Sequence, residues 1–505
     1  MTISQKPRSQ REPEYWRTDS RYTRVRSGSG VVDPLITETQ PLPTAHPDAP
    51  GAPDHGSGTR VVQSQRQRRD QRLPGALLSS SSYLGTLAAV RSFGHENVSS
   101  VVADHARLGA ASWSRFVSRR LTCPPDTESE QLLAWLLAFG KANPGYVLCA
   151  TSDDSAWLYS KHRSELGQYF HLYQPPVEAV YALLNKRRLY DVGSTVGVNF
   201  PRTWFPQSEE DIRQVAKEAQ FPVLIKPVTQ ILHSTHAKGL IVDQPAQLAA
   251  QFAMMSREMY RPELLAFDAT VVHPLVQEFQ PQAMQGIYNL SGFIDESGQL
   301  LGVRASMKIL QRPRRLGVGL CFERAEVKPE LVDAIVRICR RIGYYGVFEV
   351  EFINRDDKDL LIDFNPRFYG QMAFDIARGL PVPLLAYYAA LGEWGKLKQL
   401  AEAAQRATSD ETAAVHCNRI EFEIMLRAQR LSGGMSAQDV AFWRNWYKEH
   451  RGRIVHPILD KDDWKPFATE ITRQFLEHLR HPRAFMKSTM MKAVALGLEF
   501  QQNYV

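Results

Sequence analysis

The segment from Gly346 to Gln371, GVFEVEFINRDDKDLLIDFNPRFYGQ, constrains this chain more than any other. Apolar and polar residues alternate with period two on both sides of a short polar stretch, the spacing of two half-buried strands joined by a turn. Phe348, Val350 and Phe352 face one way on the first strand, and Glu349 and Glu351 face the other. On the second strand Leu360, Ile362 and Phe364 share a face, with Leu361, Asp363 and Asn365 opposite. With Arg355 to Asp359 as the loop, the antiparallel register sets Glu351 across from Asp363 and Glu349 across from Asn365. Side chains so opposed lie about 5 Å apart, and two carboxylates there repel unless a cation stands between them. Mg²⁺ or Mn²⁺ suits such oxygen ligands, taking one or two carboxylates and completing its shell with water and substrate phosphates. A hairpin whose polar face simply meets water is the alternative. Against it, the polar face ends in Asn365-Pro366-Arg367, where proline stops ladder pairing and sets a guanidinium beside the acids.

This composite resembles the signature of the ATP-grasp ligases, whose acidic strand is followed by one ending in a Glu-any-Asn-Pro-Arg pattern. The resemblance implies that Glu351, Asp363 and Asn365 hold the metal, and that Arg367 steadies an acyl phosphate or a tetrahedral oxyanion. Asp363 stands where the family more often has Glu, a carboxylate one methylene longer.

The chain has 505 residues, enough for two to four domains, and 61 Lys and Arg against 54 Asp and Glu. Whether that basic balance marks a nucleic-acid binder depends on where the charges lie. Residues 1–72 carry +4 of the formal +7, so the remainder is nearly neutral and the nucleic-acid reading rests on the tail alone. That tail holds eight prolines and almost no apolar periodicity, the composition of a disordered segment. Five widely spaced cysteines without a Cys-x-x-Cys pair fit reduced thiols. With no apolar run approaching the roughly 18 residues of a membrane span and no apolar signal core at the start, a cytoplasmic protein is expected.

Order is expected from Leu73. A short strand, a Ser-rich turn, a helix over Tyr83–Phe93 and a strand at 98–104 make a βαβ unit, and a helix over 128–141 leads to a strand at 146–153. Asp153 and Asp154 follow a strand's carboxyl end, where open α/β sheets place ligands, although a helix N-cap is an equal reading. Residues 73–176 resemble the Rossmann-like domain that precedes ATP-grasp folds. The amphipathic stretch from Pro176 to Gly193 reads as one helix containing Lys186. In FPVLIKPV, Lys226 is the single charge among apolar neighbours, a position that is costly to bury unless the ammonium meets an anion. By the resemblance, Lys186 and Lys226 are ligands of the ATP phosphates, with Lys238 in the following loop as a third. HPLVQEFQP at 273–281 resembles the hinge between the two lobes, where backbone groups near Glu278 and Phe279, and Glu278 itself, would read the adenine edge. No acid lies between Phe279 and Ile294 to hold the ribose, so Gln285, Asn289 or a residue elsewhere takes that place.

The alternation across Glu296–Gly298 predicts a hairpin whose second strand carries Arg304, Lys308 and Arg312 toward one region. Such cations suit a γ-phosphate and a substrate carboxylate, and a solvated basic face is the competing reading. The fold expected is α/β: a disordered tail (1–72), the Rossmann-like domain (73–176), a two-lobed ATP-grasp core (177–400) and a helical C-terminal region (401–505). The activity implied is an ATP-dependent joining of a small carboxylate to a small amine, with Arg367, Arg304 and Lys308 at the reacting end. A bicarbonate-activating carboxylase and a nucleotide-binding regulator without turnover remain alternatives, and self-association is left open.

Overall fold

The computed structural model describes residues 73–480 except 234–238, 258–259, 313, 315, 408–412 and 432. The tail, Lys238 and everything beyond 480 lie outside the described residues. The strands β1 (Ala76–Leu78), β2 (Ser100–Ala103), β3 (Val117–Leu121), β4 (Tyr146–Cys149) and β5 (Phe170–His171) form a parallel sheet in the order β3-β2-β1-β4-β5. Parallel neighbours need crossovers, and the helices Leu84–His95 and Ser129–Ala142 are two of them. A second, antiparallel sheet comprises β6 (Thr203–Trp204), β7 (Val223–Lys226), β8 (Leu240–Val242) and β9 (Leu275–Glu278). The helices Glu209–Glu218 and Pro245–Ser256 cover it with Ile212, Val215, Leu248 and Phe252.

The third sheet holds β10 (Ile287–Ile294), β11 (Leu300–Arg312), β12 (Val318–Ala325), β13 (Gly346–Arg355), β14 (Lys358–Asn365), β15 (Val415–Cys417) and β16 (Ile454–Val455), in the order β14-β13-β10-β11-β12-β15-β16. Phe348, Val350 and Phe352 are buried on one face of β13, each side chain contributing about 1.5–3 kcal/mol of apolar transfer. The helix Pro329–Ile342 buries Leu331, Ile335, Ile338 and Cys339 in the same core. Proline sits in its first turn, and Gly343 ends it at φ 69°, a left-handed conformation that glycine adopts without a Cβ clash. The described residues beyond 401 are mainly helical, and they also add β15 and β16 to the edge of this sheet.

The acidic hairpin departs from expectation at its turn and returns to it at its acids. The loop is two residues, Asp356 and Asp357, both at positive φ, instead of five. A β-bulge between Glu351/Asp363 and Phe352/Leu361 then takes up one residue and restores the expected pairs, Glu351 with Asp363 and Glu349 with Asn365. The bulge also exchanges two neighbours: Leu361 packs in the core with Phe352, while Ile362 turns to the other face with Ile287 and Ile353.

Residues 457–463 are tied to the first sheet's helix. Asp463, 2% exposed, accepts from Arg91 Nε (2.9 Å), Ser114 Oγ (2.7 Å) and the Arg115 N–H (2.8 Å), while Arg91 also donates to the carbonyls of Pro457 and Ile458. Asp463→Ala strands these donors and is expected to cost about 2–3 kcal/mol, read as a lower urea midpoint. An unchanged midpoint would mean the connection carries no stability.

Candidate active site

A cavity of about 290 Å³ is walled by residues from each of the three sheet regions. Lys186, Lys226, Glu278, Phe279, Lys308, Glu351, Asp363, Asn365 and Arg367, nine of the residues expected from the sequence, line it. Lys186 is not mid-helix. Asn185 interrupts the expected helix, its side chain accepting from the N–H groups of Arg187 and Arg188, so Lys186 opens the second segment, Lys186–Thr195. From there Nζ reaches Asp363 Oδ1 at 2.7 Å. Burial works against the ammonium, yet Asp363, Tyr190 and Asp153 together hold its pKa above the ordinary lysine value. Lys226, 8% exposed at the end of β7, donates to Gln277 Oε1 at 3.0 Å. Gln277 is itself oriented by Tyr190 and Thr203, each 2.9 Å from its Nε2.

On the large sheet Lys308 pairs with Glu351 at 2.6 Å. Glu349 accepts from Asn365 Nδ2 (2.6 Å) and Gln371 Nε2 (3.0 Å), and burial together with the neighbouring Glu351 pushes its pKa up to about 7. Arg367 closes the hairpin end: Nε bonds Asp153 at 2.7 Å, Nη1 donates to Tyr83 OH and the Phe368 carbonyl, and Nη2 donates to Asn365 Oδ1. Asp153 is therefore a partner of this arginine, and Ser152, with its side chain on the Ser155 N–H, is the helix cap.

Three expectations are corrected. Arg304 does not line this cavity; its guanidinium donates to the carbonyls of Arg378, Ala404 and Val303. The first two belong to the last turns of helices, where unpaired carbonyls attract a cation. Arg312 is drawn to Glu421 instead. The N–H groups of Glu278 and Phe279 bond the carbonyls of Arg202 (2.9 Å) and Pro222 (3.3 Å), and Glu278 pairs with Arg355 at 3.2 Å, so these groups are already engaged by the protein.

Asn289 faces Glu351 across β10 and β13, fully buried, with Oδ1 lacking a hydrogen-bond partner among the described residues. An orphaned amide oxygen opposite Glu351, with Asp363 paired to Glu351 on the strand beyond, is an all-oxygen donor set, which fits magnesium or manganese. Among the described residues no group of three or more His, Cys, Asp or Glu side chains is placed to hold a metal ion. Tyr83, Gln371 and His416 also line the cavity, and the sequence pattern did not point to them. Gln371 closes the acidic hairpin segment 346–371, but Tyr83 and His416 carry no local pattern.

No family model matches the chain. It is 22% identical to a D-aspartate ligase of Enterococcus faecium over 233 residues, 44% of this chain, and spans about half the length of that relative. Among solved structures it is similar to the biotin carboxylase domain of a Hydrogenobacter thermophilus 2-oxoglutarate carboxylase, a dimer in complex with MgADP, ADP and bicarbonate. That superposition has a TM-score of 0.50 at 15% identity and covers 64% of this chain and 70% of the other. The chain has the ATP-grasp fold. In ATP-grasp terms β6–β9 form one lobe and β10–β14 the other, with the cavity walled by both. Among the described residues no helix is long and apolar enough to cross a membrane.

Proposed function

We propose that the protein is an ATP-dependent ligase that activates a carboxylate as an acyl phosphate and joins it to an amine, releasing ADP and phosphate. The observation that carries this reading is the pairing of two ammonium groups with two acids on one cavity wall, Lys186 with Asp363 and Lys308 with Glu351. A metal triphosphate matches both halves of each pair, cation to carboxylates and phosphate oxygens to ammoniums. Lys186 and Lys226 hold phosphates, and Glu351, Asp363 and Asn365, with Glu349 and Asn289 beside them, hold magnesium or manganese. The bound ion offsets charge on the phosphates. The segment Gln277–Gln280 walls the base, and Lys238 is a further phosphate candidate.

A carboxylate is a poor acylating agent, so its oxygen attacks the γ-phosphorus and the bond to the ADP oxygen breaks. The amine nitrogen then attacks the acyl carbon, the carbonyl becomes an oxyanion, and phosphate leaves as the carbonyl re-forms. Lys308 stands beside the phosphoryl group and Arg367 beside the oxyanion. The D-aspartate ligase likeness supports an amino-acid-like acid.

A pairwise screen of small acids, bicarbonate included, and amines for ADP release tests the reading. Asp363→Asn and Lys226→Ala are each expected to abolish release while leaving the melting temperature nearly unchanged. Full activity in either variant would count against it, and release with bicarbonate alone would favour the carboxylase alternative.

A further inference from the structure

His416 is a cavity residue that the proposed chemistry leaves unused. It reaches the wall from β15, a strand outside the region of acidic hairpin and lysines. The sheet register puts it in a row: Lys308 faces Phe322 on β12, and Phe322 faces His416 on β15. All three line the cavity. At strand spacings of about 4.8 Å, the backbones of Lys308 and His416 are roughly 10 Å apart. The row therefore runs from the ammonium beside Glu351, across an aromatic ring, to an imidazole.

That imidazole is 2% exposed, and its Nδ1 is buried with no hydrogen-bond partner among the described residues. The rings of Phe322 and Phe374 stand 5.6 and 6.1 Å away and offer no acceptor in compensation. Nδ1 is sealed from the cavity, so the ring nitrogen that can meet a group bound there is Nε2. Burial, with His456 and Arg378 nearby, pushes its pKa down to about 3, so the ring is neutral. A neutral imidazole donates one N–H, and a carboxylate is the strongest acceptor a substrate can offer it.

We propose that His416 holds the second, unactivated carboxylate of an acid substrate that has two, the reacting carboxyl lying toward Lys308 and Arg367. This deepens the ligase reading and rests on it for which end is activated. Phe322, between the two polar ends, would pack against the carbon chain. His416 is thus a positioning and specificity residue, acting on binding of the acid more than on turnover.

The test uses the full chain and its His416→Ala and His416→Asn variants, with succinate, glutarate, aspartate and glutamate as probes and the matched monocarboxylates propionate, butyrate and alanine as controls. ADP release is followed against acid and ATP separately, and melting temperature against the same acids in the presence of MgADP. The wild type should prefer dicarboxylates in both readouts. His416→Ala should raise the acid KM about 10- to 100-fold, the loss of a hydrogen bond to a charged group, with the ATP KM unchanged. His416→Asn should recover part of the loss, because its amide can still donate. Dicarboxylates that neither bind nor react better than their monocarboxylate partners in the wild type would overturn the proposal, as would an unchanged acid KM in both variants. If no pair of substrates releases ADP, the ligase reading fails by itself. A dicarboxylate-dependent melting shift lost in His416→Ala and partly kept in His416→Asn would still establish the site.

Discussion

Arg367→Lys is expected to lower acid- and amine-dependent ADP release by about 10²–10³-fold, while ATP affinity stays nearly unchanged. The guanidinium has five N–H donors, and four are fixed by Asp153, Tyr83, the Phe368 carbonyl and Asn365, leaving one on Nη2 for a substrate. Each fixed bond removes freedom the group would otherwise lose at the moment of reaction, so the remaining donor is preorganised toward a developing oxyanion. Lysine restores the charge but has neither the planar fork nor the reach to Asp153 and Asn365 at once. The consequence is a loss in kcat rather than in nucleotide binding, since the phosphate lysines lie elsewhere on the wall. Steady-state kinetics together with titration of MgADP separate the two. A variant within about threefold of wild type would mean that no oxyanion forms beside Arg367, because even one preorganised donor is worth more. Asp153→Asn, which loosens the fork but keeps the arginine, should fall between.

The acidic hairpin was legible because a period of two over ten residues fixes which side chains share a face, and the pairing of Glu351 with Asp363 follows. Its turn was not. Several loop lengths satisfy the same alternation, and the bulge that reconciles a two-residue turn with the acid register leaves no mark except Ile362, whose apolar side chain faces the cleft. Lys226 was legible for a different reason: a lone charge in an apolar strand must meet a partner. Arg304 shows the limit of face arguments. It shares a face with Lys308 on the 13-residue strand β11, yet four residues at about 3.4 Å each carry it roughly 14 Å along, out of the cleft and under helix ends. His416 lies beyond any local argument. A three-residue strand has too few positions to show a period, and its place beside Phe322 is a long-range pairing.

The largest loss of stability is expected at Asp375. The residue is fully buried in the helix Met372–Ala377, which follows the Asn-Pro-Arg turn, and it accepts from Ser291 Oγ at 2.5 Å and Tyr369 OH at 2.7 Å while pairing with Arg378. Arg378 in turn donates to the Ala305 carbonyl at 2.6 Å. One carboxylate thus joins β10 directly and β11 through Arg378 to the segment that carries Tyr369, Gly370 and Gln371 into the cavity. Asp375→Ala leaves the Arg378 cation buried without its counter-charge and Ser291 and Tyr369 without an acceptor, a change expected to cost about 3–5 kcal/mol. The urea midpoint should fall with the slope unchanged, the signature of a loss of stability without a change in the surface exposed. Removing the cation as well separates the ion pair from the rest of the network. Asp375→Ala with Arg378→Met should cost less than the two single changes added together, because the second substitution removes the charge that the first strands. Strict additivity would mean that the pair contributes nothing beyond its separate bonds, and a single-variant loss below about 1 kcal/mol would mean that water reaches the site and takes over the carboxylate's role.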